Sequence, residues 1–123
     1  MAMKKYLAKI VYQIVSNELT TQDQFDEQLC LIEARDAHEA FIKARLMGVK
    51  NEEEIDHESG YGVFWKFVDV PFLNELSTLI DGTELYSCIS ERDKEDGYAA
   101  FVKKRAADIQ DHVQLQLISA SAS

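Results

Sequence analysis

At 123 residues, with 46% apolar and 28% charged residues, the chain can bury one hydrophobic core without staples and has an ordinary globular composition. Its 13 Lys and Arg against 22 Asp and Glu give a net charge of −9. That balance argues against a nucleic-acid backbone as partner, because phosphate binding needs clustered basic residues, and it leaves a basic or neutral protein partner open.

The N-terminal MAMKKYLAKIVYQIV sets two lysines before apolar residues, in the manner of a signal peptide. Lys9 and Gln13 interrupt the run, and no small-residue cleavage site follows. A strand over residues 5–15 accounts for it better, with Tyr6, Ala8, Ile10, Tyr12 and Ile14 on one face and Leu7, Lys9, Val11, Gln13 and Val15 on the other. No apolar run is long enough to span a membrane, so a cytoplasmic location and no membrane partner are expected.

SNELTTQD (16–23) reads as a loop and residues 24–34 as a second strand, the two strands forming an antiparallel hairpin. In DAHE, Asp36 is an N-cap and Glu39 completes a capping box. Ala37, Ala40, Phe41 and Ala44 follow at helical spacing as a narrow, small-residue stripe suited to close packing on a sheet, and Gly48 is read as the stop. VKNEEEIDHESG (49–60) is then a charged connector.

Residues 61–70, YGVFWKFVDV, form a third strand with Val63, Trp65 and Phe67 on one side and Phe64, Lys66 and Val68 on the other; Pro71 ends it. FLNELSTL (72–79) fits a short helix with Leu73, Leu76 and Leu79 or Ile80 inward, DGT (81–83) a turn, and ELYSCISER (84–92) a fourth strand. From Asp93 the pattern is helical, with Tyr98, Phe101, Val102, Ala106, Ile109, Val113 and Leu117 on one stripe and Gly97 in the first turns; SASAS (119–123) should fray. The expectation is a single α+β domain over 1–118 followed by a frayed tail. It has an antiparallel four-stranded sheet in the order β-β-α-β-(short α)-β-α, helices on one face and a long C-terminal helix.

The stretches FDEQLCLIEA, WKFVDV and DGTELYS resemble a bacterial family catalogued as domain-of-unknown-function family 4288. The resemblance rests on Asp26, Glu27, Leu31, Ile32, Ala34, Glu39 and Ala40, on Trp65, Lys66 and Phe67, and on Asp81 through Ser87, and covers roughly residues 5–90. It departs where that family often carries an arginine: Gln28 or Leu29 and Cys88 stand at those places. The resemblance implies a small compact domain and no assigned reaction.

The carboxylates Asp26, Glu27, Glu33 and Glu84 invite an acid–base reading, since paired acids work when their surroundings separate their pKa values. If the second and fourth strands were neighbours, Glu27, Glu84, Tyr86 and Lys66 would cluster; a solvated sheet face with cross-strand pairs is the plainer alternative. Trp65, the lone tryptophan, reads as core or interface, with closure of a pocket beside Tyr86 as the other option. Cys30 and Cys88, both in expected strands, read as small buried hydrophobes rather than a disulfide or reactive pair. His38, His57 and His112 are too scattered for a metal site, so no metal and no cofactor is expected. The chain has no Gly-rich phosphate loop, no GxSxG and no Cys–His arrangement, and the reading leans away from an enzyme.

The function expected first is a non-enzymatic assembly or protein-interaction module, homodimeric, with Ile109, Val113 and Leu117 of the last helix in the interface. The second is a small-molecule-binding domain or minor enzyme with a pocket between sheet and helices, lined by Glu27, Trp65, Glu84 and Tyr86. The third is an acidic, inhibitor-like binder of a basic protein.

Overall fold

A computed structural model describes residues 2–16, 22–59 and 62–121, with side chains described as far as Glu52 in the first helix and Gln116 in the last. The chain divides into two compact units, Met1–Ser87 and Cys88–Ser123.

The first unit holds β1 (Lys4–Ser16), β2 (Gln24–Ala34), α1 (Ala37–Ser59) and β3 (Val63–Leu76). The sheet has three strands in the order β2-β1-β3, both pairings antiparallel. β1 takes the centre, and its even-numbered face explains why: Tyr6, Ala8, Ile10 and Tyr12 are all buried there. Ile32 and Ala34 of β2 join them, with Cys30, Trp65, Phe67 and Leu73 packed alongside. Full burial of a side chain such as Ile10 or Ile32 contributes about 1.5–3 kcal/mol, so this face supplies most of the core, with Leu7 buried on the other face.

α1 covers that face. Asp36 caps it, its Oδ1 accepting the Glu39 amide at 2.8 Å. The capping-box expectation needs one correction: the Glu39 carboxylate accepts from Arg35 Nε at 2.8 Å, an ion pair four residues apart. Ala40 and Ala44 are fully buried, as the small-residue stripe required, and Phe41 packs against the core. Gly48 continues their spacing. It is not a stop; the helix runs on to Ser59, so the expected connector 49–60 is helical through residue 59. Gly48 is there for contact: a methyl on it would overlap the Phe67 ring and stand 3.2 Å from Ile10 Cγ2. The Tyr12 hydroxyl donates to the Gly48 carbonyl at 3.0 Å, fastening helix to central strand.

The third strand is longer than expected. Pro71 does not end it, and residues 72–76 extend it instead of forming a short helix. The register explains this. Lys9 pairs with Phe72 and Val11 with Asp69, so Val70 and Pro71 together oppose Ile10; a second irregularity lies between Val11 and Tyr12. β3 is an edge strand, and a proline at a bulge on an edge breaks no ladder. Arg45 of α1 grips the bulge through a forked pair to Asp69, Nε to Oδ1 at 2.9 Å and Nη2 to Oδ2 at 3.0 Å. Asp69 Oδ1 also accepts the Val70 amide at 2.8 Å.

The expected fourth strand is absent: residues 83–93 carry no ladder, and the sheet stops at three. The outer edge of β3, the strand that precedes it in sequence, offers ELYSCISER no regular ladder. That edge is disrupted by Pro71 and the two bulges, and its Phe67 amide is already taken by Glu52 Oε2 at 2.6 Å. Cys88 accordingly lies in no strand and is exposed, while Cys30 is half-buried; both are free thiols.

In the second unit the helix α2 (Tyr98–Ser121) begins later than Asp93. Gly97 has φ 71°, a left-handed conformation that stands outside a right-handed helix. Asp96 Oδ1 caps the Tyr98 amide at 2.9 Å. Phe101, Val102, Ile109 and Val113 are exposed along α2. The side chain of Leu117 and residues 122–123 lie outside the described residues. Within the first unit one helix, α1, packs on the sheet, and the short helix expected at 72–79 is part of β3.

Candidate functional site

The odd-numbered residues of β1 and β2 point away from α1, and with them lie most of the residues singled out by sequence. Lys9 stands at the middle of the central strand on this open face. Its Nζ donates to the Tyr86 hydroxyl at 2.9 Å and lies 3.8 Å from Glu27 Oε1. The ammonium is 4.8 Å from the Tyr86 ring centroid, so it meets the phenol at the oxygen rather than over the ring face. Phe72 of β3 packs edge-on against the Tyr86 ring at 5.2 Å. The segment around Tyr86 is thus anchored to the sheet by side chains, where the sequence suggested backbone pairing.

Of the five candidate residues, Glu27 and Tyr86 meet, but through Lys9. Glu84 is exposed and lines a cavity of about 360 Å³ with Phe72, Asn74, Leu85, Tyr86 and Ser87. Lys66 is on the open face opposite Gln13 and is exposed. Glu27 is exposed too, and the charge beside it is the Lys9 ammonium. Trp65 stands apart from these four. It opposes Ile14 on the helix-covered face and packs against the core, its Nε1 donating to Asp26 Oδ2 at 3.3 Å.

Sequence reasoning missed Lys9 as the organiser. Its signal was present: it is the one charge on the outward face of β1 between Leu7 and Val11, and a cation at the centre of a sheet face collects whatever acceptors its neighbours offer. A second polar group lies on the opposite face at the rim of the core. There Asp26 Oδ2 accepts from Gln28 Nε2 at 2.9 Å as well as from Trp65. Burial pushes the nearby Cys30 thiol up, away from thiolate reactivity. Among the described residues no group of three or more His, Cys, Asp or Glu is placed to hold a metal ion. No helix among them is long and apolar enough to cross a membrane.

A three-stranded antiparallel sheet with one helix across it, and an open face clasped by a lysine–tyrosine contact, defines a small α+β domain. The chain belongs to the family described as Domain of unknown function (DUF4288), which it matches over residues 5–87. The matched span ends where the first compact unit ends, at Ser87, and the helical second unit lies beyond it. No curated protein and no solved structure matches the chain.

Proposed function

We propose that this protein is a non-enzymatic assembly module that works as a homodimer. The observation that carries the reading is β2, an edge strand whose outward apolar side chains are left in the open: Phe25 is 53% exposed, Leu29 49% and Leu31 52%. Phe64 and Val68 of β3 extend the same apolar face. An apolar surface of this kind on a protein of charge −9 calls for a partner, and a two-fold copy is the commonest partner of a soluble chain. The exposed Ile109 and Val113 of α2, with Leu117 next on the same stripe, add to the apolar surface available for assembly. Sedimentation velocity of the full chain across nanomolar to high micromolar concentration tests the proposal. A concentration-dependent shift to twice the monomer mass is expected, and a monomer throughout overturns it.

The cavity beside Tyr86 supports a second reading, a small-molecule site. Its lining brings two aromatic rings, an amide, a carboxylate and two hydroxyls together in one unit. Screening by ligand-detected NMR tests it, with Tyr86→Ala as the control that removes binding.

A further inference from the structure

Resting on the homodimer reading, we infer that two copies join along the free edge of β2, as an antiparallel pair centred on Leu29, to make one continuous six-stranded sheet.

The two edges of the sheet differ. β3 carries Pro71 and two bulges, devices that keep a sheet edge from pairing with another chain. β2 has neither over its 11 residues, and it pairs with β1 without a register shift from Gln24 to Ala34. Its backbone polarity follows from two contacts. The Phe67 amide bonds to Glu52 rather than to β1, so the Tyr12–Phe67 pair is not a mutually hydrogen-bonded one. In an antiparallel ladder the groups of Tyr12 then turn toward its other partner, Asp26. The even residues of β2 therefore bond inward to β1, and the odd residues present N–H and C=O to the free edge. The Glu33 carbonyl agrees: Lys43 Nζ, reaching over from α1, donates to it at 2.8 Å. Lys43 occupies one end of the edge and leaves Glu27, Leu29 and Leu31 as its open stretch.

Charge selects the register. Pairing must match residues of like parity, because one face of each sheet is the core face. A two-fold through Leu29 sets Leu29 against the partner's Leu29, Glu27 against the partner's Leu31, and Phe25 against the partner's Glu33. Asp26 falls against the partner's Ile32. No acid meets an acid. Moving the axis to Cys30 sets Glu27 against the partner's Glu33, and moving it to Gln28 sets Asp23 against the partner's Glu33. Both are like-charge pairs, which destabilise a sheet when directly opposed. The Leu29 register also leaves each Glu27 beside its own Lys9 and adds two leucines to a shared apolar row.

Backbone amide exchange on the full-length wild-type chain, read by NMR at a dilute and a concentrated condition, tests this directly. The outward amides of Glu27, Leu29 and Leu31 should slow by at least ~10-fold on concentration, since they enter a ladder only in the dimer. Leu29→Pro, which removes an outward N–H and no bond to β1, should give a folded monomer. Phe64→Asp, on the same face but on the far strand, should leave the dimer intact. A dimer whose Glu27, Leu29 and Leu31 amides exchange as fast as in the dilute sample overturns the edge pairing while the homodimer stands. Loss of dimer in Phe64→Asp points to face-to-face stacking and overturns it as well. A monomer at every concentration overturns both proposals.

Discussion

Tyr12 shows how much one side chain of the central strand settles. Its ring is fully buried and meets Phe67 edge-on at 6.1 Å, and its hydroxyl is bonded to the helix at Gly48. Tyr12→Phe removes the hydroxyl's hydrogen bonds to Gly48 and Asn51, each with a net value of about 1 kcal/mol, so it should cost about 2 kcal/mol in chemical denaturation. Burial pushes the Tyr12 phenol up, against a lowering by the Asn51 hydrogen bond. A folded value above the unfolded one means that the stability is whole below the unfolded tyrosine range, roughly 10, and drains as pH rises through the folded value. The wild type should therefore lose stability on alkaline titration more steeply than Tyr12→Phe. Gly48 presents a second residue-scale test with opposing terms. Ala for Gly gains up to ~1 kcal/mol of helix propensity, but the new methyl overlaps Phe67. Overpacking of this sort costs about 1–3 kcal/mol, so Gly48→Ala should be destabilising on balance. Ala40→Leu, at a fully buried position under the same helix, should destabilise by about 1–3 kcal/mol for the same reason, and a neutral result would mean that the site has room to relax.

At the scale of elements, β1 and β2 were legible because their signals are local. Weak alternation gave β1 and its two faces, the short spacing after it gave β2 as its hairpin partner, and Asp36 marked the start of α1. The failures share a cause: the residue type admits two structural uses, and only the neighbours decide between them. Gly48 stops a helix when nothing faces it and extends one when Phe67 needs the space. Pro71 ends a central strand but can sit at a bulge in an edge strand, and strand order is not written in local periodicity. ELYSCISER alternates like a strand, yet alternation alone does not make one: Tyr86 is held by side-chain contacts to Lys9 and Phe72 where a ladder was expected. The candidate site was half legible in the same way: residue types picked out Glu27 and Tyr86, but the cation joining them comes from β1, some 77 positions from Tyr86 in sequence. The Arg45–Asp69 fork that ties α1 to the β3 bulge was not foreseen at all, because the pair is 24 residues apart and each member looks like ordinary surface charge. Its hydrogen bonds, from Arg45 first and from the Val70 amide second, hold the Asp69 carboxyl below the usual carboxylate range. A lowered folded value means stability that is present above the unfolded carboxylate range and lost as pH falls through the folded one. Asp69→Asn should be less stable than wild type at neutral pH, with the gap closing in acid. A gap that persists in acid would assign the loss to the altered bulge rather than to the charge.

At the scale of the whole molecule, the proposed homodimer can draw on apolar surface from both units. The first unit carries the family match and an unguarded β2 edge; the second carries the amphipathic α2 with Phe101, Ile109 and Val113 exposed. A 24-residue helix with an exposed apolar stripe gains little from its own propensity and needs burial to be stable. If α2 is buried across the two-fold together with the β2 edge, its contribution should be additive to the edge, not a replacement for it. Removing the apolar character of two side chains by Ile109→Asp with Val113→Asp forfeits at least the ~1.4 kcal/mol that corresponds to tenfold in affinity. The double variant should therefore weaken the dimer by at least ~10-fold in sedimentation equilibrium while Glu27, Leu29 and Leu31 remain protected in the dimer that still forms. Complete loss of dimer at high micromolar concentration would place the interface in α2 and withdraw it from β2. An unchanged dissociation constant would remove α2 from the interface and leave its apolar stripe to some other contact. The tenfold outcome is expected because backbone pairing at the β2 edge and side-chain burial on α2 involve different atoms of different units, and neither can substitute for the other.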